Sequence, residues 1–258
     1  MGFGYTSTQG RFSGALSKKA SSGGGIGGLN ANTKLLLDLD GADTATSTTD
    51  ASDSAHVISF AGTAQLDTSI KKFGSAALIC DGDSDYISAP DSADWDVVGD
   101  ASDWTIDLWA AHAALTGGVN SQYYIMQGED GNNFWALRLE AGPEDTLDFI
   151  AFSTAPIVNL ASAANIITDT NFHHISVIKV ATEYGIYLDG VQVAYVNDAS
   201  TDTYAGTLYM GANRGSNSFF DGNMDEVRVQ KENWFSAAPN VGLTDTITVP
   251  TGPYTDER

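Results

Sequence analysis

One cysteine, Cys80, stands alone in this sequence, so no intrachain disulfide can brace the fold. It lies in the apolar run ALIC, where a buried small hydrophobe is expected rather than a reactive thiol. No apolar run reaches membrane-spanning length, and MGFGYTSTQGRFSGALSKK lacks a signal-peptide core. The expectation is a protein made and used without a Sec-type signal. Bases are scarce, with 12 Lys and Arg against 33 Asp and Glu. So acidic a chain repels phosphate backbones, which argues against nucleic acid as a partner. Glutamate is scarce too, seven residues against 26 aspartates. Aspartate caps tight turns through the backbone whereas glutamate favours helices, so the imbalance points to a loop-rich β protein. No segment holds helical periodicity over three turns; AAHAAL at 110–115 comes nearest and is too short.

What is present divides the chain in three. Residues 1–33 hold nine of the 27 glycines, including SSGGGIGG, and form a Gly/Ser-rich arm that cannot bury enough surface to order itself. Arg11, Lys18, Lys19 and Lys34 are the only charged residues before Leu35, and all 33 acids follow. The arm is therefore expected to gain order by lying on an acidic or grooved partner, with Arg11, Phe12, Lys18 and Lys19 as its anchors. Residues 34–240 carry about a dozen short alternating or apolar runs, among them LLLDL, SAALICD, WTIDLWA, FWALRLE and HHISVIKV. Asp189-Gly190 and Asp221-Gly222-Asn223 read as hairpin turns. Residues 241–258 read as an extended strap along the sandwich edge, with Pro250 and Pro253. The whole is an all-β, antiparallel two-sheet sandwich with an N-terminal arm.

Single motifs are informative mainly by failing. DGDSDY at 81–86 begins like an EF-hand loop, but Tyr86 stands where the turn glycine belongs and Ser92 where the closing Glu belongs. It reads instead as a strand–turn–strand corner. His173 and His174 point to opposite faces of a strand and cannot chelate one metal. The same alternation sets Asp225 and Glu226 apart. With His56 and His112 isolated, no zinc or nucleophilic constellation remains.

Taken in order, FGSAALICDGDSDYISAPDSADWD, DWTIDLW, FHHISVIKV, IYLDGVQV, LYMGA and FFDGNMDEVRV resemble the laminin-G-like jellyroll of the concanavalin A-like lectin/glucanase superfamily, over about residues 35 to 254. Met224, Val229 and the polar Lys231-Glu232-Asn233 depart from the usual pattern. The resemblance implies a concanavalin A-like jellyroll. It also implies one structural calcium ion on Asp225, with Asp40 and Gly82 as the nearest further candidates; the alternative is that Asp225 caps a hairpin or pairs with Arg228 or Arg214. The glucanases of this fold place their acid pair in a Glu-x-Asp-x-x-Glu strand, which this sequence lacks. A non-enzymatic protein is expected. Sugar contact needs exposed aromatics beside amides, and Trp95 and Tyr123, with Asn132 and Asn213, are the candidates; Trp104 and Trp109 read as core. Similar jellyrolls accompany tailed-phage virion proteins. The leading expectation is thus a multi-copy virion surface subunit, a capsid decoration or tail/fibre-associated protein. Its arm would lie on a major capsid or tail protein, with cell-surface glycans as further partners. A calcium-dependent lectin-like module is the alternative, and a glucanase the remote one.

Overall fold

Short β-branched and aromatic runs punctuated by Asp, Asn and Gly give strands and little else. The computed structural model describes residues 1–2, 29–115, 120–142, 145–215 and 217–254. The anchors Arg11, Phe12, Lys18 and Lys19 lie outside the described residues. In chain order the strands are β1 (Thr33–Leu37), β2 (Ser59–Ala61), β3 (Gln65–Asp67), β4 (Ala77–Asp81), β5 (Tyr86–Ala89), β6 (Trp104–His112), β7 (Gln122–Gly128) and β8 (Asn133–Glu140). They continue as β9 (Thr146–Ser153), β10 (Pro156–Ala164), β11 (His173–Val180), β12 (Glu183–Leu188), β13 (Val191–Asn197), β14 (Thr207–Met210), β15 (Ala212–Asn213), β16 (Asn217–Phe219) and β17 (Asp221–Gln230).

An eight-stranded sheet runs β13-β12-β11-β6-β17-β4-β3, with β1 added beside β17. The first half of β17 pairs with β4 and its second half with β1, so one long strand carries both neighbours. A seven-stranded sheet runs β10-β9-β8-β7-β14-β5-β2, and β15-β16 form a small ribbon. All pairings are antiparallel. The corner expected at 81–86 is present: β4 ends at Asp81 in one sheet, Gly82 turns with φ +77°, and β5 begins at Tyr86 in the other. Asp189-Gly190 is the hairpin turn between β12 and β13, both residues at positive φ. The second expected turn is not one. Asp221, Gly222 and Asn223 lie inside β17, and Gly222 is there because a β-carbon would overlap the Ala111 carbonyl oxygen of β6.

Between the sheets lies one contiguous core, with Trp104, Ile106 and Leu108 of β6 facing Trp135 and Leu137 of β8 and Phe149 of β9. Trp104 packs on Phe149 and Tyr184 at 5.5 and 5.8 Å between ring centroids, so both sheets are pinned through aromatics. The alternate side chains of the same strands point outward, and the two outer faces differ. Residues 231–254 lie across the eight-stranded sheet, not merely along its edge. Ala237 and Ile247 pack on Ile178 and Tyr187, and Tyr254 packs with Leu36 and Trp109. The segment is fastened at β13 by a bridge between Val191 and Thr246 and by the Ile247 amide donating to the Gly190 carbonyl at 2.8 Å. On the seven-stranded sheet the outward apolar cluster of Tyr123, Met126, Ala136, Phe134, Ile150 and Tyr209 consists wholly of that sheet's own residues. Its centre, Tyr123, Met126 and Ala136, is buried and its margin, Phe134, Ile150 and Tyr209, half-buried, and among the described residues none of 231–254 belongs to it.

Candidate functional site

Under the C-terminal segment sits a buried polar network. Asp107 of β6 accepts from Arg228 Nε at 2.8 Å and Nη2 at 2.9 Å, from the Tyr254 hydroxyl, and lies 3.2 Å from His174 Nε2. Burial pushes the Asp107 carboxyl up, but Arg228 and His174 outweigh it and hold it below the usual range. The Arg228 guanidinium is stacked among Trp234, Phe235 and Tyr254, its centre 4.6, 5.4 and 4.2 Å from their ring centroids. This is a fastening: Asp107, Arg228, His174 and Tyr254 are all buried and bonded to one another, although Arg228 Nη1 and His174 Nδ1 find no further partner.

Beside it, Asp225 and Glu226 break the expected alternation. The register with β6 shifts between Asp225 and Arg228, and Glu226 takes φ +52°. This bulge turns both carboxylates into the covered side. Glu226 Oε2 accepts the Tyr254 amide at 2.9 Å, and Asp225 Oδ2 accepts the Lys72 and Phe73 amides at 2.8 and 3.0 Å. Burial first, then the negative charge of Asp40, raises Asp225 to about 7, and burial with the charges of Asp225, Asp38 and Asp40 raises Glu226 to about 8. Asp225 Oδ1 is buried without a hydrogen-bond partner. Asp40 contributes negative charge to both groups, and its Oδ1 accepts the Ser75 amide and, at 3.2 Å, the Ala76 amide. Gly82 does not belong with them. Its amide donates to Phe220, five residues before Asp225 on the chain and about 16 Å away along an extended strand. No group of three His, Cys, Asp or Glu side chains suited to a metal occurs among the described residues. A cation here would rest on Asp225 and Asp40 with backbone carbonyls, and the orphaned Oδ1 fits that arrangement.

The expected sugar contacts are redistributed. Trp95 is 0% exposed: it ends a short 3-10 turn, Ala93–Trp95, donates Nε1 to the Pro90 carbonyl, and its own carbonyl receives Trp135 Nε1 at 2.9 Å. It cannot stack on a ligand. The Asp-rich loop that suggested exposure is what folds it inward, since Ser92 caps the turn. Tyr123 does lie on the outer face of the seven-stranded sheet, but it is only 4% exposed because Arg138 spans it, with Nη1 donating to the tyrosine hydroxyl at 2.8 Å. Asn132 is exposed in the β7–β8 turn and Asn213 is half-buried on β15. The neighbouring Arg214 donates to the Asp130 carbonyl at 3.0 Å, bringing both asparagines to the same end of this face.

That face carries more than was singled out. Phe134 and Phe152 stack with centroids 5.6 Å apart and planes 5° from parallel, and Tyr86 meets Tyr209 edge-on at 5.7 Å. All four rings are half-buried. Arg138 Nη2 pairs with Glu140 at 2.8 Å and lies 3.9 Å from Asp148, whose pKa burial raises. The signal was legible in FWALRLE: Phe134, Ala136 and Arg138 share one parity, and Trp135, Leu137 and Leu139 take the core.

The fold and its motifs agree with what comparison finds. Residues 81–234 match the family model Laminin_G_3 of the concanavalin A-like lectin/glucanases superfamily, and the chain belongs to that family. Among solved structures it is similar to domain 4 of AbnA, an extracellular arabinanase from Geobacillus stearothermophilus, in complex with arabinotriose. There the identity is 17% over 78% of this chain and 93% of that one, with a TM-score of 0.58. It is likewise similar to the binding domain of Paraclostridial Mosquitocidal Protein 1 (14% identity, 78% and 49% coverage, TM-score 0.58). The binding domain of Botulinum Neurotoxin DC in complex with SialylT aligns at 10% identity, 78% and 48% coverage and TM-score 0.55. The chain spans about half the length of these two toxin chains. No curated protein matches the sequence. At these identities the likeness is one of fold, a fold shared with carbohydrate-binding domains.

Proposed function

We propose that this protein is a non-catalytic carbohydrate-binding module that engages glycans on the outer face of the seven-stranded sheet. One observation carries the reading: a half-exposed row of aromatic rings flanked by Arg138, Glu140 and Asp148 on a face that the C-terminal segment leaves open. Sugar rings present apolar C–H faces to aromatics and hydroxyls to charged or amide groups, and this face offers both. The similar structures solved with arabinotriose and with SialylT support that chemistry. The carboxylates of the face share Arg138 and are not set as a free acid and base, which supports binding without hydrolysis. A glycan array including arabino-oligosaccharides and sialylated glycans, followed by calorimetry on the hits, tests the reading. Binding that survives Phe134→Ala with Phe152→Ala unchanged would sink it, as would release of reducing sugar by the wild type.

The calcium expectation becomes a proposal of restricted form, one ion on Asp225 and Asp40, supported by the orphaned Asp225 Oδ1. A melting temperature indifferent to calcium and to EDTA would refute it. The charge asymmetry between the arm and the body supports a second reading, a virion-surface subunit present in many copies, with the arm lying on a neighbouring protein of the particle. Deleting residues 1–30 should then abolish particle association; normal assembly of that variant would refute it.

A further inference from the structure

Arg138 is the cation that the open face offers beside its aromatic rings, so its bonds decide what charge a ligand there can carry. Nη1 donates to the Tyr123 hydroxyl at 2.8 Å, and Nη2 meets Glu140 Oε2 at 2.8 Å. Asp148, the cross-strand neighbour on β9, lies 3.9 Å from the same Nη2. Nε is buried and has no hydrogen-bond partner. Elsewhere in the molecule the Nε–Nη2 edge of an arginine grips a carboxylate with both donors, as Arg228 holds Asp107 at 2.8 and 2.9 Å. On Arg138 that edge is half blocked, because Glu140 takes Nη2 alone.

Glu140 is itself held in this position. Ser121 donates to its Oε2 at 2.7 Å, and the Ala141 amide donates to the Ser121 hydroxyl at 3.2 Å. The glutamate side chain is still 37% exposed, and Oε1 accepts nothing from any described residue. A sugar acid approaching this end of the face meets two carboxylates sharing one guanidinium, on a chain with 33 acids and 12 bases. A sugar hydroxyl meets an open acceptor in Glu140 Oε1. The two ends of the face are also spaced for a chain rather than a single ring. Phe134 and Arg138 stand four residues apart on β8, about 13 Å at strand spacing, with the small Ala136 between them.

We infer that the open face selects uncharged oligosaccharides, and that Glu140 sets this selectivity by withholding Arg138 from sugar carboxylates. The inference rests on the glycan-binding reading of this face and adds to it the charge class of the ligand.

The test uses the full-length protein on an array of matched pairs, each neutral oligosaccharide beside its sialylated or uronic acid counterpart. The wild type should bind the neutral members at least about fivefold more tightly, the scale of one surface charge contact. Glu140→Ala, which frees Nη2 beside the unpaired Nε, should raise the acid-to-neutral affinity ratio at least about fivefold at low salt and less at high salt. Glu140→Gln keeps an oxygen for Arg138 and Ser121 while removing the charge, and should shift the ratio in the same direction by a smaller factor. If Glu140→Ala fails to fold, the glutamine variant carries the same comparison. Phe134→Ala should weaken both members of a pair alike and leave the ratio where it was. A wild type that binds the acidic members as well as the neutral ones, or Glu140 variants with the wild-type ratio, would overturn the inference and leave glycan binding by this face standing. A wild type that binds neither member of any pair would overturn both.

Discussion

The two outer faces of this sandwich are built from the same alternation and treated in opposite ways. On the eight-stranded sheet the outward residues are Asp107, Trp109, His174 and Ile178, and residues 231–254 cover them with a second layer of apolar and hydrogen-bonded contacts. On the seven-stranded sheet the outward residues are Phe134, Phe152, Tyr86, Tyr209 and Arg138, and the rings stay half-exposed. A face that carried aromatics only for stability would gain from the same cover. That one is covered and the other left open is the contrast on which the proposal of a contact surface rests.

The largest effect should come from breaking the seal. Arg228→Ala leaves the Asp107 carboxylate buried without its bidentate partner, and the expected loss is about 3–5 kcal/mol in denaturant unfolding. Trp95→Ala should cost a similar amount, about 3–5 kcal/mol, because the ring is wholly enclosed and its removal leaves a cavity. Neither change lies on the open face, so wherever these variants remain folded their glycan affinity should match the wild type. A variant at either position that kept its stability and lost binding would invert the comparison.

Proton uptake sharpens the same contrast. Asp225 and Glu226 have folded-state pKa values of about 7 and 8, above their ordinary values in the unfolded chain. Their contribution is therefore fully present below about pH 4 and is lost as pH rises through 7 to 8, where both must ionise in a buried site. In metal-free buffer, stability should fall by a few kcal/mol between pH 5 and about pH 9. Calcium, if it occupies Asp225 and Asp40, should offset more of that loss the higher the pH, since metal and proton compete for the same oxygens. Thermal melts across pH with calcium or EDTA check both statements. A flat profile would mean the bulge does not bury these acids together.

Much of the scaffold was legible because alternation, turn residues and motif order agree with one another. DGDSDY reads as a corner and is one, and WTIDLWA reads as a core strand and is one. Reading fails where a local rule meets a tertiary one. Asp221-Gly222-Asn223 has turn composition, yet β6 passes so close that the glycine is needed inside a strand. Asp225 and Glu226 obey alternation on paper, but a bulge at Glu226 puts both on one side. Trp95 sits in a polar loop and is buried by that loop's own capping. Tyr254 could not be placed at all, because its anchor Asp107 lies 147 residues earlier. The candidate face was only partly legible: Tyr123 fell on it, and Phe134, Phe152 and Arg138 were readable as one parity of their strands.

A smaller change probes the seal without collapsing it. Tyr254→Phe keeps the ring against Leu36, Trp109 and Arg228 and removes one hydroxyl from Asp107, which retains Arg228 and His174. The expected cost is about 1.5–3 kcal/mol, the range for a hydrogen bond to a charged group, read as a shift in the denaturant midpoint at constant slope.

The smallest stability effect should belong to the open face. Phe152→Ala removes a half-exposed ring from the outer side of β9, so unfolding should change by no more than about 1 kcal/mol, the upper end of a cross-strand pair contribution. Its effect on sugar affinity should be larger in proportion, about five- to tenfold weaker binding for one lost stacking surface. The ratio matters more than either number. At Tyr254 stability should move while affinity stays, and at Phe152 affinity should move while stability nearly stays. If Phe152→Ala destabilised the protein as strongly as Tyr254→Phe and left glycan binding intact, the open face would be an incompletely covered core, and the sugar-contact reading would have to be abandoned.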